Sequence, residues 1–367
     1  MLTDSELREL LDFQGSGPVL SIYLDTDPAA GAVDVHKLQL RSLLKEVDLP
    51  EDEEAILRYF DHEHDWSGHS AAIFSSAAED YLHVFSLAVP IRSRARVGAK
   101  PYVKPLADLF DSYGSYGVAL VDKQGVRLFH FHLGELREQE GVMGENVRRT
   151  KRGGGSQAAG QRGRTGGQSD HMAEVTGKNI KESAEAAAHF FHEKNVRRIL
   201  IGGADDNVAA FRNQLPKTWQ SLIVGTFPMS MVANQNEVME RAMAIGQEAD
   251  RKRENQLIQT IMTEAAKNRN GVVALGPTLR AVHDGRVQTL LIRDGYRAQG
   301  SRCSGCGYLT AQDIEACPFC GEQFEVIPDA VEETVRRLMQ TGGEVEVLDQ
   351  EQAGAANFPD IGALLRY

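Results

Sequence analysis

Tyr116-Gly117-Val118-Ala119-Leu120-Val121-Asp122, then Lys123-Gln124-Gly125, then Val126-Arg127-Leu128-Phe129-His130-Phe131, is the stretch on which the architecture turns. Two apolar, β-branched runs flank a short turn with glycine, which reads as a β-hairpin. The chain beyond it makes the hairpin part of an α/β layer. Ala184, Ala187, Ala188 and Phe191 recur at helical spacing, 197–202 reads as a strand, 207–215 as a helix and 221–227 as a further strand. The order β, β, loop, α, β, α, β predicts a mixed sheet with helices packed on it.

Working outward, the residues before the hairpin alternate helical and strand patterns. A helix is expected over 3–12, a strand over 18–24, one long helix over 35–61, and strands over 70–75 and 81–89. Pro90 and a basic loop, Arg92-Ser93-Arg94-Ala95-Arg96, follow. Beyond the hairpin unit, 236–268 is a long helical pattern able to bridge two domains. It leads into a strand at 272–275, a helix over 278–283, a strand at 287–292, a cysteine segment, a helix over 329–340 and strands at 344–348 and near 363–365. The fold class expected is therefore α/β in three domains. These are an N-terminal α/β domain over 1–111, a central mixed-sheet domain over 112–235, and a C-terminal α/β sandwich over 236–367 with a small insertion at about 300–323.

Composition narrows the function. The 367 residues are 42% hydrophobic and 25% charged, which excludes a disordered or fibrous chain. With 52 acidic and 40 basic residues the formal charge is −12, so any grip on nucleic acid must be local. No run approaches the roughly 18–20 apolar residues a membrane span needs, and Met1-Leu2-Thr3-Asp4-Ser5-Glu6 lacks the basic-then-apolar order of a signal peptide. A cytoplasmic protein without a membrane partner is expected.

Two segments carry chemistry. Cys303-Ser304-Gly305-Cys306 and Cys317-Pro318-Phe319-Cys320 hold all four cysteines of the chain, with Gly307 and Gly321 just after each pair. Paired CxxC knuckles can close a tetrahedron around Zn2+ at about 2.3 Å per sulfur, so a structural zinc ribbon is expected. Four thiolates would leave no position open for water. The competing reading, a redox dithiol, favours a single CxxC at a helix start.

The second segment runs from Asn146 to Gln168, with seven glycines, no acid and six basic residues: Arg148, Arg149, Lys151, Arg152, Arg162 and Arg164. It carries +6, leaving −18 for the rest of the chain. It ends in Gly166-Gly167-Gln168. Paired glycines let the backbone approach a target without a Cβ in the way, and the glutamine offers a neutral amide. Neither is a nucleophile or a base, so the segment can orient water and stabilise an oxyanion but cannot run hydrolysis alone. Its arginines suit phosphates. On residue chemistry alone, an RNA-touching loop or a plain linker stands equal to a catalytic one. Elsewhere, the eleven histidines show no HxxxH or HExxH spacing, and neither GxSxG nor a Walker A loop occurs. His130 and His132 share a strand face and read as structural, and Gly202-Gly203-Ala204-Asp205 reads as a tight βα turn with a helix cap.

The order of these features resembles the archaeo-eukaryotic class I peptide release factors and Pelota-like rescue factors, in their bacterial branch, from about residue 112 to 367. It rests on the hairpin 116–131, the loop ending Gly166-Gly167-Gln168, the helix after it, the stretch Leu275-Gly276-Pro277-Thr278-Leu279-Arg280-Ala281-Val282-His283-Asp284-Gly285-Arg286-Val287-Gln288-Thr289-Leu290-Leu291-Ile292, the ribbon and the ending Ile361-Gly362-Ala363-Leu364-Leu365-Arg366-Tyr367. The resemblance implies a factor in the ribosomal A site, facing rRNA at the peptidyl-transferase centre. There Gln168 positions water against peptidyl-tRNA, Gly166 and Gly167 allow the fit, and the third domain faces a partner such as a translational GTPase.

The N-terminal domain departs from that pattern. The stop-codon motif Tyr-x-Cys-x-x-x-Phe has no cysteine available, and Asn179-Ile180-Lys181 is followed by Glu182 and lies in the wrong segment. Asp170 and Glu174 stand where the family tends to carry basic residues. Two further readings therefore stay open: a non-hydrolytic hibernation factor occupying the A site, and a generic RNA-binding protein with a zinc ribbon.

Overall fold

The computed structural model describes residues 2–144, 166–348 and 357–367. The chain begins with helix α1 (Asp4–Asp12), opened by a Thr3 capping box, and strand β1 (Val19–Asp25). Two helices, α2 (Val33–Leu44) and α3 (Pro50–His62), occupy the region where one was expected. The break has a plain cause. Pro50 has no N–H and suits only the first helical turn, where Glu51, Asp52 and Glu53 complement the helix dipole. Strands β2 (Ser70–Ser76), β3 (Tyr81–Leu87) and β4 (Arg94–Gly98) complete an antiparallel sheet in the order β3-β2-β1-β4, and α4 (Lys104–Tyr113) follows. One face of this sheet, with Leu20, Ile22, Leu24 and Ile73, packs on Leu40 and Leu44 of α2 and Ile56 and Phe60 of α3. Each such side chain, fully buried, contributes about 1.5–3 kcal/mol.

The expected hairpin is β5 (Ser115–Val121) and β6 (Gly125–His132), with the Asp122 carboxylate accepting from the Gln124 and Gly125 N–H groups in the turn. A third antiparallel strand, β7 (Glu135–Met143), extends it. After helix α5 (Gly166–Glu193) come β8 (Arg198–Gly203), α6 (Asp205–Gln214), the single turn α7 (Lys217–Gln220), β9 (Ile223–Phe227) and the long helix α8 (Gln235–Ala266). The sheet order is β7-β6-β5-β8-β9, with β5, β8 and β9 parallel. Helices α5 and α6 cover one face through Ala184, Ala187, Phe190, Phe191 and Phe211. Val238 and Ala242 of α8 cover the other with Phe129 and Phe227. At Gly117 a Cβ would lie 2.6 Å from the Phe191 ring, so glycine there sets how closely α5 approaches.

The remaining elements are β10 (Gly271–Val273), α9 (Leu275–His283), β11 (Val287–Arg293), β12 (Gly300–Cys303), β13 (Leu309–Thr310), β14 (Phe324–Ile327), α10 (Ala330–Gln340), β15 (Glu344–Leu348) and β16 (Ile361–Leu365). A mixed sheet, β10-β16-β11-β15, carries α9 and α10 on one face. Ile258 and Ile261 of α8 pack on the other. Strands β12, β13 and β14 form a separate three-stranded sheet inserted between β11 and α10.

The chain divides into two compact units: residues 1–112 together with 250–367, and residues 113–249. In the first unit the opening and closing parts are held together by buried polar groups. Arg336 of α10, 2% exposed, donates to the carbonyls of Leu10, Leu11 and Pro101. Glu332, one turn earlier, accepts from the Val103 N–H at 2.9 Å. Lys104 donates to the carbonyls of Arg293 and Tyr296, and burial lowers it to about 8. The basic segment expected as a loop is in part strand β4, whose Arg94 and Arg96 pair with Asp294 at 3.1 Å and Asp329 at 3.6 Å.

Burial pushes the Glu332 carboxyl up to about 7, from an ordinary 4.5. The unfolded chain loses this proton at lower pH than the folded one. Stability is therefore expected to fall as pH rises from about 4.5 to about 7, by on the order of 3 kcal/mol from this group. Glu332→Gln keeps the acceptor for Val103 and removes the titration. Denaturant midpoints at pH 5 and pH 8 should converge in the variant relative to the parent.

Candidate functional site

The four cysteines come from two turns of matching build. Cys303 ends β12, and the Gly307 N–H returns to the Cys303 carbonyl at 3.0 Å; in the second turn the Gly321 N–H returns to the Cys317 carbonyl at 2.9 Å. Both glycines sit at positive φ, +72° and +82°, where other residues are strained. The turns face each other. Sγ of Cys303 lies 3.3 Å from that of Cys320, Cys306 lies 3.5 Å from Cys317, and all four sulfurs fall within 4.8 Å of one another. All four are free thiols.

Electrostatics fits a cation at the centre of this set. Burial pushes the Cys303 thiol up, but the backbone N–H groups of Cys306 and Gly305 and the Cys320 thiol outweigh it and bring it down to about 6. The Tyr308 N–H favours a thiolate at Cys306, yet burial and the neighbouring thiols override it and drive that group to about 12. Four thiols so close cannot all ionise unless a positive ion compensates them. Tetrahedral Zn–S bonds of about 2.3 Å would separate the sulfurs by about 3.8 Å, within the spread found here. Among the described residues no other group of three or more cysteine, histidine or carboxylate side chains could hold a metal.

The surroundings of this cluster were not legible in the sequence. Arg337 of α10 donates to the Gly307 carbonyl at 2.9 Å and reaches that of Cys306 at 3.4 Å, tying the first knuckle to the domain. The Phe319 ring, inside the second knuckle, packs 4.4 Å from the His283 ring and 4.8 Å from that of Tyr308. Only the position of Phe319 within its CxxC hinted at such a role.

Gly166, Gly167 and Gln168 are the first described residues of α5 and have helical backbone, where a loop end was expected. Among the described side chains of α5, residues 171–178 are not buried, and the first that is buried is Asn179. At about 1.5 Å per residue, the Gly166 end lies about 20 Å beyond Asn179. Asn179 donates to the Lys123 carbonyl in the hairpin turn at 3.0 Å and so anchors α5 to the hairpin. Arg148, Arg149, Lys151, Arg152, Arg162 and Arg164 lie outside the described residues.

Two other motifs resolve as structural. His130 meets the Ser115 hydroxyl at 2.9 Å, and burial, with His132 and Lys194 nearby, lowers it to about 4, so it is neutral at pH 7. At 202–205 the tight turn is present, but the cap residue Ala204 makes no side-chain bond to α6. Gly203 is required there, because a Cβ would meet the Val121 carbonyl at 2.4 Å.

Residues 101–247, which take in most of the 113–249 unit, match the family described as bacterial archaeo-eukaryotic release factor family 10. The chain is 22% identical over 318 residues to peptide chain release factor subunit 1 of Methanocaldococcus jannaschii, covering 74% of this chain and 70% of that one. It is 30% identical over 211 residues to the same factor of Archaeoglobus fulgidus, 52% of this chain and 51% of that one. A pelota homolog of Methanocella arvoryzae is 32% identical over 128 residues, 32% of this chain and 36% of that one. This chain is a relative of the archaeo-eukaryotic release factors and Pelota. Its match to the second and third relatives spans about half and about a third of their length.

If Asn179 fixes the arm to the hairpin, Asn179→Ala orphans the Lys123 carbonyl and costs about 1–3 kcal/mol. Hydrogen exchange should then speed up across β5, β6 and α5, while β1 and β11 keep their protection.

Proposed function

We propose that this chain is a ribosomal A-site factor that promotes hydrolysis of the peptidyl-tRNA ester. The observation that carries the proposal is Gly166-Gly167-Gln168 on α5, about 20 Å from Asn179 along the helix, within the segment that matches a release-factor family. In the reaction, water adds to the ester carbonyl carbon. The ribose oxygen then leaves with one of the water's protons, giving tRNA and the free peptide acid, whose remaining proton passes to solvent to leave the carboxylate. Gln168 is neutral at any working pH, so its part is to hold the water through its amide and not to remove the proton. Without Cβ atoms, Gly166 and Gly167 admit the ester to the backbone. Arg148, Arg149, Lys151, Arg152, Arg162 and Arg164 would neutralise rRNA phosphates, which suits a chain whose remainder is acidic.

Cys303, Cys306, Cys317 and Cys320 would hold a structural Zn2+, which when bound closes the ribbon and, with four thiolates, offers no site for water. A translational GTPase as partner and a cytoplasmic location belong to the same reading.

Peptide release from ribosomes carrying a stop codon, a sense codon or no codon tests it. Gly167→Ala should leave the fold intact and lower release by about 10²–10³-fold. Release unchanged by this substitution would place the ester elsewhere. Binding without release in every complex would instead mark an A-site occupant that silences ribosomes. Separately, Cys306→Ser should reduce bound zinc from about one per chain to none and loosen the 300–327 segment, with no change in the 113–249 unit, as read by metal analysis and hydrogen exchange.

A further inference from the structure

Strand β14 ends the order β13-β12-β14, so one side of it is an open edge among the described residues. The direction of its backbone groups follows from the ladder. The Ser304 N–H donates to the Gln323 carbonyl at 3.0 Å, which makes this a bonded pair. Alternation then makes Arg302/Glu325 and Gly300/Ile327 bonded pairs and turns the N–H and C=O groups of Phe324 and Val326 away from β12. The bond from the Cys303 N–H to the Tyr308 carbonyl, on the opposite side, agrees with this alternation.

The edge is apolar where edges are usually guarded. Val326 is 66% exposed, and β14 carries neither the lysine nor the proline that commonly blunts an edge strand. Its one charge, Glu325, is paired with Arg302 at 3.1 Å. Phe324, on the same face two residues before Val326, begins a row of rings through Tyr308 to Phe319, which is 45% exposed. The segment's own charge is mostly acidic, with Arg337 of α10 reaching the first knuckle from outside it. Between residues 300 and 327, Arg302 stands against Asp313, Glu315, Glu322 and Glu325, all four acids exposed. A Zn2+ held by four thiolates would add two further negative charges.

We propose that the β14 edge is a docking site for an extended, basic segment of a partner protein, which adds to the ribbon as a fourth strand. Backbone groups of Phe324 and Val326 would pair with the incoming strand, its apolar side chains would lie on Val326 and the ring row, and its lysines or arginines would face the acids. The same charge disfavours RNA, whose phosphates it repels. It also disfavours a second copy of this chain, since two acidic edges would meet. The inference is independent of the hydrolytic reading, because it concerns only residues 283–327.

The test uses the full-length, zinc-loaded protein and a fluorescein-labelled peptide of about eight residues alternating lysine with valine. A glutamate–valine peptide, an oligouridine and the sedimentation of the chain alone serve as comparisons. The lysine peptide should bind, weakening about tenfold between roughly 0.05 and 0.5 M salt. Val326→Pro removes an outward N–H without touching the β12 ladder and should weaken binding about tenfold or more. Val326→Lys should do the same by repulsion, and both variants should match the parent in zinc content and thermal unfolding. The proposal fails if the lysine peptide does not bind, if the glutamate peptide binds equally, or if both correctly folded variants retain binding. Oligouridine that competes at the ribbon, or a dimer dispersed by Val326→Pro, would also overturn it.

Discussion

One guanidinium lies at the centre of the polar contacts that hold the opening and closing parts of the first unit together. Arg336 is buried beneath the opening helix, where the carbonyls of Leu10 and Leu11 would otherwise end α1 without partners, and it also takes the carbonyl of Pro101. A buried arginine is costly, and three backbone carbonyls from two separate stretches offset part of that cost, while the Nε–H of Arg336 has no partner among the described residues. The polar groups around it are also partnered in part. Tyr23, fully buried, donates to the Tyr102 carbonyl, Glu332 accepts from Val103, and Arg96 lies 4.5 Å over the Tyr102 ring. This polar seam cements the first 112 residues to the last 118 or so as one unit.

Sequence patterns captured what is local and missed what is paired at a distance. The hairpin at 116–131 was legible because its apolar alternation and its turn lie within sixteen residues. The four-cysteine cluster was legible because both halves of each knuckle are adjacent in the chain. By contrast, β4 looked like a basic loop, since the partners of Arg94 and Arg96 are Asp294 and Asp329, some 200 residues on. Strand β7 was missed for the opposite reason: as an edge strand with Glu135, Glu138 and Glu140 it has little apolar pattern to read. Pro50 marked the division between α2 and α3, and a long run of helical spacing masked it.

The candidate site was half legible in the same sense. Gly166-Gly167-Gln168 stood out by composition, but its position on a helix, and the part Asn179 plays in anchoring that helix, depend on the hairpin turn more than fifty residues earlier. Around the cysteines, Arg337 and His283 approach the knuckles from α10 and α9, with no mark in the local sequence. Stability and the proposed chemistry thus reside in different units: the cysteine cluster and the polar seam in one, the Gly-Gly-Gln turn in the other.

Because residues 113–249 interrupt the first unit, the order of synthesis constrains how the protein reaches its native state. The nascent N-terminal sheet can cover one face with α2 and α3, but the carbonyls of Leu10, Leu11 and Pro101 that Arg336 will satisfy must wait for α10 to leave the ribosome. The inserted unit, by contrast, has all its strands in hand once α8 has begun. Domains generally fold as units as they emerge, so the middle of this chain matures before its beginning. The first third meanwhile carries through most of translation a face that only the last third of the chain covers.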